Sequence, residues 1–175
     1  MHFIKYIYKN YFKINYMKRI CYSPIGIVHS EFKEKINVPI QSIFSNKKGI
    51  IEIFPEFVEG LDDLDGFSHI FLLYHFHLSK GVSLKVKPYL DDVERGVFST
   101  RAPKRPNSIG LSILGIEKIE GNKIFVSGVD IIDNTPVLDI KPYVPDFDHR
   151  QNVKNGWFSK KVDKKEYLSD DRFLD

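Results

Sequence analysis

Cysteine is almost missing from this sequence: Cys21 is the one thiol among 175 residues. A single cysteine excludes a disulfide within the chain and excludes a zinc site built from several thiolates. Chains without disulfides are typical of reducing compartments. The composition therefore predicts a cytoplasmic protein with no cysteine-based metal centre.

Long hydrophobic runs and a strong charge of one sign are also missing. The longest apolar run, 70–74, is far shorter than the roughly 20 residues needed to span a bilayer. Neither a transmembrane segment nor a membrane partner is therefore predicted. The formal net charge is only +3, which excludes a strongly basic nucleic-acid binder. Any affinity for RNA must come from local cationic patches.

Internal repeats, glycine-rich phosphate loops and long amphipathic helices are absent as well. Without a strand–GxGxxG–helix unit, a Rossmann-type nucleotide site has no support. Segments rich in Ile, Val, Phe and Tyr predict short strands instead, at 20–29, 49–54, 67–77, 109–119 and 123–132. A hairpin turn is predicted at 120–122 and one helical turn at 55–61. The pattern predicts a mainly β, single-domain fold with few short helices, either a barrel or a curled sheet.

The first nineteen residues differ from the rest, because lysine and arginine are interleaved with phenylalanine and tyrosine and no acidic residue occurs. One interpretation is an arm that stacks on RNA bases and contacts phosphates. The other is that translation starts at Met17 and the preceding residues are not native. We therefore divide the chain into an N-terminal extension (1–19), a β-rich domain (20–147) and a polar C-terminal tail (148–175).

The segment 96–112, GVFSTRAPKRPNSIGLS, carries the strongest functional signal. Pro103 and Pro106 fix φ and force the preceding residues to be extended, so a stiff, non-helical loop is expected. Arg101, Lys104 and Arg105 lie on this loop. Guanidinium groups bind carboxylates and phosphates through paired hydrogen bonds. The loop is suited to an anionic ligand; the alternative is a stiff surface loop with solvated cations.

This segment resembles the signature of the TsaA-like (TrmO) family of S-adenosylmethionine-dependent tRNA methyltransferases. The matching positions are Gly96, Phe98, Thr100, Arg101, Ala102, Pro103, Arg105, Pro106, Asn107, Ile109, Gly110 and Ser112. Three further blocks resemble the family in the same order: FKEKINVPIQ at 32–41, LDGFSHIFLLYHFH at 64–77 and DIIDNTPVLDIKPY at 130–143. The resemblance implies a non-Rossmann β-barrel, S-adenosylmethionine as cofactor, tRNA as substrate and a homodimer whose cofactor site lies near the subunit interface.

The resemblance also implies which residues contact the cofactor. They are Pro39, Ile40, Gln41, His77, Leu78, Arg101, Leu111, Asp133, Asn134, Thr135 and Pro136. Ile40 replaces a common arginine, which favours a backbone contact there, and Asn134 replaces glycine, a mild change since asparagine tolerates positive φ. By charge type, Arg101 suits the cofactor's carboxylate, and Asp133 or Asp130 suits its ammonium group or ribose hydroxyls. The alternative for 130–136 is turn chemistry, in which Asp, Asn and Thr bind the local backbone.

The substrate implied by the family is the threonylcarbamoyl-modified adenosine beside the anticodon of tRNA, methylated on N6. Because carbamoylation delocalises the N6 lone pair, a base should help to remove the N6 proton. Candidate acceptors are Asp130, Asp139 and Tyr143, with His77 behind them, and the sequence does not choose among them. The candidates for binding tRNA phosphates and the threonyl carboxylate are Lys85, Lys104, Arg105, Asn107 and Lys141.

Two groups of titratable residues have simpler interpretations. His69, His75 and His77 share one face of the predicted strand, but the first two lie about 20 Å apart along an extended chain, and no metal is predicted. These histidines are either polar residues at a strand end or, for His77 by resemblance, a cofactor contact. Asp91, Asp92 and Glu94 are interpreted as a solvated acidic turn.

Two other function classes fit the same blocks of sequence. One is a non-catalytic module that binds S-adenosylmethionine or RNA. The other is a methyltransferase of the same fold that acts on another RNA or on a small molecule. Turnover distinguishes the first from the tRNA methyltransferase, and the identity of the product distinguishes the second.

Overall fold

Six antiparallel strands form a closed barrel in the computed structural model, which describes residues 20–160 and 167–174. The predicted extension at 1–19 lies outside the described residues. The barrel strands are β1 (Gly26–His29), β2 (Lys48–Ile53), β3 (His69–His75), β6 (Ile109–Glu120), β7 (Lys123–Ser127) and β8 (Thr135–Pro142). Their order around the barrel is β1-β2-β7-β6-β3-β8. Two short strands, β4 (Lys85–Val86) and β5 (Arg95–Gly96), pair outside the barrel. The prediction of a mainly β, non-Rossmann barrel is confirmed.

The barrel interior follows from the alternation of side chains along each strand. In β3, Ile70, Leu72 and Tyr74 are buried, whereas Phe71 and Leu73 point to the outer face and are half-buried. This is the period of two that a sheet with one packed face requires. The inward side chains of the other strands complete the core, with Val28, Ile51, Leu114, Ile124, Val126 and Val137 all fully buried.

Among the residues that the structure describes, helical segments are three to seven residues long. The helix α1 covers Pro145–Asp148, and short 3-10 segments cover Ser42–Phe44, Pro55–Leu61, Leu64–Gly66, Val97–Ser99, Gly156–Lys160 and Asp171–Phe173. The helical turn predicted at Pro55–Leu61 is confirmed, with proline at the start, where its missing N–H is tolerated. Across the described stretches of the chain, the helices are all too short and too polar to cross a bilayer.

Several strand boundaries differ from the prediction. β1 begins at Gly26 rather than at 20, after Pro24, which has no N–H to donate. β7 ends at Ser127 rather than at 132, because Gly128 adopts a positive φ of 78°. β8 is a strand that the sequence does not predict, since turn chemistry is the expectation at 130–136. Its prolines lie close to its two ends, where a missing N–H group costs least.

The hairpin between β6 and β7 is confirmed, with Gly121 at a φ of 58° in its turn. β7 is shorter than β6 and stops opposite Gly115. The first part of β6 therefore pairs with β3 on one edge only. The chain after Ser127 crosses this unpaired edge and brings Asp130 to Ser112, with 2.7 Å between Oδ1 and Oγ.

The end of the predicted polar tail packs against the domain. Ser169 and Tyr167 exchange backbone hydrogen bonds with residues 37–40, at 2.8 to 3.0 Å. Phe173 is buried in a small second core with Val86, Val97 and Ala102. Both contacts join residues more than seventy positions apart in the sequence.

The interpretation of Asp91 as part of a solvated turn is wrong. Its side chain is fully buried and accepts hydrogen bonds from Arg95 at Nε (2.9 Å) and Nη2 (2.8 Å). The other carboxylate oxygen accepts from the backbone N–H groups of Asp92 and Val93. A buried carboxylate needs such a full set of donors, so this turn is a structural anchor beside the signature loop.

Candidate active site

A cavity of about 270 Å³ opens where the first part of β6 has no β7 neighbour. Its wall combines four segments that are distant in sequence: 35–41, 74–79, the signature loop, and 130–135. The C-terminal segment adds Ser169 and Phe173. The cavity therefore collects all four sequence blocks that carry the family resemblance.

Three polar side chains form a chain of hydrogen bonds at the inner end of the cavity. Ser112 donates from Oγ to Asp130 Oδ1 at 2.7 Å, and the Tyr74 hydroxyl lies 3.3 Å from Ser112 Oγ, where it can donate in turn. Tyr74 and Ser112 are buried, at 6% and 4% exposure. Gly110 lies opposite Tyr74, and a Cβ there would be 2.2 Å from the tyrosine ring. Only glycine lets the ring lie across β6.

Burial shifts the pKa values of the Asp130 and Tyr74 side chains in this hydrogen-bonded series. Desolvation raises the pKa of Asp130 to about 6, although the Ser112 hydrogen bond and the nearby positive charge of Arg101 oppose the shift. Desolvation, with the Asp130 charge next to it, raises the pKa of Tyr74 well above its usual range. Asp130 can thus exchange a proton close to neutral pH, whereas Tyr74 stays protonated.

The two arginines of the signature loop have different partners. Arg101 is exposed at the cavity rim and donates a hydrogen bond to the side-chain oxygen of Gln41. Arg105 is turned back on its own loop, where it donates to the carbonyl oxygens of Val97 (3.1 Å) and Thr100 (2.9 Å). Arg105 fixes the loop, and Arg101 remains at the rim to meet a ligand.

His77 is held in one orientation by Thr135. The buried Thr135 hydroxyl donates to Ile132 O at 2.6 Å, so it accepts from His77 Nδ1 at 3.2 Å. The hydrogen therefore resides on Nδ1, and Nε2 is the acceptor nitrogen. Burial, with His75 as a second cause, lowers the pKa of His77. The imidazole is accordingly neutral at physiological pH.

The structure brings most of the predicted cofactor residues together in the cavity wall. They are Pro39, Ile40, Gln41, His77, Leu78, Arg101, Leu111 and Thr135. Asp133, Asn134 and Pro136 are not part of the wall. Asp133 accepts from the Ser30 backbone N–H (2.9 Å) and pairs with Lys33 (2.6 Å), and Asn134 has a φ of 60° in the turn. A cofactor contact by these three residues stays a prediction.

The catalytic candidates lie in two places. Asp130 is in the cavity wall. Asp139 and Tyr143 lie on the outer face of the barrel, where Asp139 pairs with Lys141 at 2.7 Å and the Tyr143 ring packs edge-on against Phe71, with centroids 5.4 Å apart.

The RNA-binding candidates are likewise divided. Lys104, Arg105 and Asn107 belong to the signature loop, and β4 with Lys85 lies beside that loop through a backbone hydrogen bond from Ser83 to Lys104 (3.2 Å). Lys141 lies apart, on the outer face of the barrel. Four of the candidates thus belong to one region of the surface.

Sequence reasoning missed several residues of the cavity wall. The alternation in β3 predicts an ordinary core residue at Tyr74, and Ser112 stands out only as a match to the family signature. No sequence pattern indicates Tyr89, Ser169 or Phe173 as site residues. The one available signal for the last of these was an apolar Phe173–Leu174 pair at the end of a polar run.

The described residues offer no metal centre. Within 20–160 and 167–174, no three His, Cys, Asp or Glu side chains lie close enough to share an ion. His69 and His75 are exposed at the two ends of β3, whereas the chain turns after His75 and carries His77 into the cavity wall.

Comparison with known proteins decides the family. A family model described as the tRNA-methyltransferase O N-terminal domain matches residues 27–149. The chain belongs to this family. A crystal structure of TrmO from Pseudomonas aeruginosa superposes with a TM-score of 0.67 at 39% identity, over 79% of this chain and 62% of that one. The predicted TsaA-like barrel is confirmed.

The relatives extend from archaea to mammals. A probable S-adenosyl-L-methionine-binding protein of Pyrococcus abyssi is 54% identical over 153 residues, which is 87% of this chain and 83% of the relative. A mouse tRNA (adenine(37)-N6)-methyltransferase is 45% identical over 138 residues, or 74% of this chain and 32% of the relative. The chain spans about a third of the mouse enzyme. Membership of a methyltransferase family that uses S-adenosylmethionine is confirmed.

Proposed function

We propose that this protein is an S-adenosylmethionine-dependent methyltransferase that modifies N6 of threonylcarbamoyladenosine next to the anticodon of tRNA. The observation that carries the proposal is the Asp130 carboxylate, whose pKa is raised and which is held by Ser112 in a cavity lined by the signature loop. The family supports the reaction, and the names of the relatives support the cofactor.

The chemistry of the cavity wall fits S-adenosylmethionine. Arg101 provides a guanidinium for the amino acid carboxylate. Thr135 and His77 provide a hydroxyl and a neutral imidazole for polar groups, and Leu78 and Leu111 provide apolar surface for an adenine ring. The proposed cofactor residues at 39–41 complete the wall, and those at 133–136 act through the turn that carries Thr135. When bound, the cofactor supplies an electrophilic methyl group on a sulfonium.

Asp130 is the proposed base. Its Oδ1 accepts a hydrogen bond from the Ser112 hydroxyl, and the carboxylate lines the cavity. The carboxylate would take the N6 proton of the carbamoylated adenine. N6 would bond to the methyl carbon as the methyl–sulfur bond breaks, which would leave S-adenosylhomocysteine as the second product. A carboxylate with a pKa of about 6 is a stronger base than an exposed aspartate and is still ionised at pH 7. Tyr74 and Ser112 hold it in place and remain protonated.

The tRNA is bound, in this proposal, by the cationic region around the signature loop. Lys85, Lys104, Arg105 and Asn107 provide side chains for phosphates and for the threonyl carboxylate. Such local patches produce salt-dependent affinity even where the net charge is small, as it is here at +3.

The outer face of β3 and β6 is the proposed interface of a homodimer. Phe71 pairs with Ile113 and Leu73 with Leu111 across the two strands, and Leu111 and Ile113 are 45% and 40% exposed. A continuous apolar sheet face is unusual on a monomer surface. Leu111 also belongs to the cavity wall, so a second copy on this face would lie beside the cofactor site, and Asp139 and Tyr143 would lie at that interface.

Nucleoside mass spectrometry tests the reaction and the substrate together. Threonylcarbamoylated tRNA is incubated with the protein and S-adenosylmethionine, digested and analysed; the same tRNA without the modification is the control. We expect one added methyl on the modified adenosine and none on the control. A methyl group on a different nucleoside would contradict the proposed substrate.

A non-catalytic binding module is the second candidate, because the Pyrococcus relative is named only as a binding protein. Such a module would bind the cofactor, measured by calorimetry, and would produce no S-adenosylhomocysteine with any tRNA. Release of S-adenosylhomocysteine that depends on tRNA would exclude it.

A further inference from the structure

A second cavity of about 610 Å³ opens beside the first and has no role in the function described so far. The two cavities share Ile40, Gln41, Tyr89, Thr100, Arg101 and Phe173 as wall residues. The hydrogen bond between Arg101 and Gln41 lies on this common wall. The two cavities are therefore neighbours, and the Arg101 and Gln41 side chains line both of them.

Aromatic side chains dominate the second cavity. Phe98 is 76% exposed on the short helix Val97–Ser99, and Phe44 is 41% exposed while stacked on Tyr167. Trp157 is fixed by a hydrogen bond from its Nε1 to Ser99 O at 2.8 Å. Exposed aromatic rings held on rigid backbone are the platforms on which unstacked bases stack in single-stranded RNA recognition.

The charge around these rings favours an anionic ligand. Of the described residues that line the second cavity, only Arg101 carries a formal charge, and none is acidic. Two further guanidinium groups back the rings, Arg105 at 5.9 Å from the centre of Phe98 and Arg95 at 5.6 Å from that of Trp157. Asn155 and Gln41 add amides for the edge of a base. Stacking surface, hydrogen-bonding edge and positive charge together describe a site for a nucleotide.

We propose that the second cavity binds the target purine nucleotide of the tRNA after it has left the base stack. This inference rests on the proposed function, and it assigns the substrate site of that reaction. Enzymes that modify a base must take it out of the stack to reach its edge. The base stacks on Phe98 and Trp157, and its N6 edge faces the common wall at Arg101. Arg101 lines both cavities, and Asp130 lines the first.

Trp157 allows a test that does not depend on methyl transfer, since it is the one tryptophan of the sequence. The probe is an anticodon stem-loop oligonucleotide that carries threonylcarbamoyladenosine, titrated into the full chain while tryptophan fluorescence is recorded. We expect saturable quenching. In Phe98→Ala we expect the dissociation constant to rise about 5- to 100-fold, the range for loss of one stacking platform, with S-adenosylmethionine affinity unchanged by calorimetry.

The matched control is Phe147→Ala, because Phe147 is also exposed, at 61%, and lines neither cavity. Phe98→Trp should restore affinity, which a purely structural role of Phe98 would not explain. Methylation by the wild type with unchanged binding by Phe98→Ala would overturn the substrate site and keep the proposed function. Quenching without methylation by the wild type would support a nucleotide site and overturn the proposed reaction instead.

Discussion

The two halves of β6 have different neighbours, although they belong to one continuous strand. Residues from Gly115 to Glu120 pair with β7, whereas Ile109 to Gly115 pair with β3 and leave their other edge to the loop after Ser127. From Leu114 onward the inward positions are apolar, with Ile116 and Ile119 packed on the core. Before Leu114, at the open end, the inward positions are Gly110 and Ser112. The cavity is thus the part of the barrel interior that apolar side chains do not fill.

One half of β6 contributes mainly to the stability of the fold, and the other half carries the polar groups of the candidate site. Apolar side chains in the closed half pack at the density of a protein interior and stabilise the fold. In the open half, the Tyr74–Ser112–Asp130 chain replaces apolar packing by buried polar groups, which stabilise little and must be fully hydrogen-bonded. Substitutions in the two halves should therefore change different measured quantities.

The largest effect is expected for Asp130→Asn in the open half. The amide cannot accept the N6 proton but keeps the size of the side chain, so we expect kcat to fall about 10²- to 10⁴-fold, the range for loss of a general base. The affinity for S-adenosylmethionine, measured by calorimetry, should change little. A variant with kcat within a factor of three of the wild type would exclude Asp130 as the base.

The next largest effects are expected for two variants that compare an apolar and a polar inward position of β6. Leu114→Ala removes a fully buried side chain from the core and should lower the free energy of unfolding by about 2–5 kcal/mol. Ser112→Ala, two residues away on the same face, should cost at most about 1–3 kcal/mol and mainly reduce kcat. Urea denaturation and steady-state kinetics on both variants check this. Equal loss of kcat in the two variants would contradict the assignment of Leu114 to stability and of Ser112 to activity.

The pH dependence gives a third test. Because the folded pKa of Asp130, about 6, exceeds its ordinary value of 3.8, the protonated form stabilises the fold. This contribution is complete below about pH 4 and is lost as pH rises through 6, at most about 3 kcal/mol. Activity should behave in the opposite way, since the ionised form is the base: kcat/KM should fall about tenfold per pH unit below 6.

His77 provides the control for this profile, since its own pKa is lowered by burial and His75. His77→Gln should leave the midpoint of the change in unfolding free energy near pH 6, and Asp130→Asn should remove this change. Urea titrations from pH 4 to 8 measure both. A midpoint that moves with His77 and persists without Asp130 would assign the titration to the histidine.

The smallest expected effect concerns the outer face of the same strand. Ile113→Glu places a charge on the apolar face of β3 and β6 and should convert a dimer to a monomer in light scattering, with the unfolding free energy changed by about 1 kcal/mol or less. Lys118→Glu, at an exposed position in the closed half, is the matched control. A wild-type monomer at micromolar concentration would contradict the proposed interface.

Much of the barrel could be predicted because its signals are local. The alternation in β3 and the Gly121 turn between β6 and β7 are written into neighbouring residues. β8 could not be predicted in this way, because Pro136 and Asp139 carry weak strand preference and only pairing with β1 and β3 holds them extended. Tertiary pairing there overrides local preference.

The site was predictable where it depends on one rigid loop and not where it depends on distant contacts. Arg101 and Asp130 could be selected by charge and by resemblance. Tyr74 could not, since a strand tyrosine looks the same whether it packs or binds a hydroxyl. Asp91 is buried with Arg95 and two backbone N–H groups as donors, and Phe173 reaches the wall through folding of the C-terminal segment.

The position of the C-terminal segment in the sequence means that the barrel is synthesised before the last part of the cavity wall. The last barrel strand ends at Pro142, whereas Ser169 and Phe173, which wall the cavity, are translated about thirty residues later. Because chains fold from the N-terminus as they leave the ribosome, the barrel can close before the cavity has its last wall. The cavity wall described here is therefore complete only once the C-terminal segment has packed against the barrel.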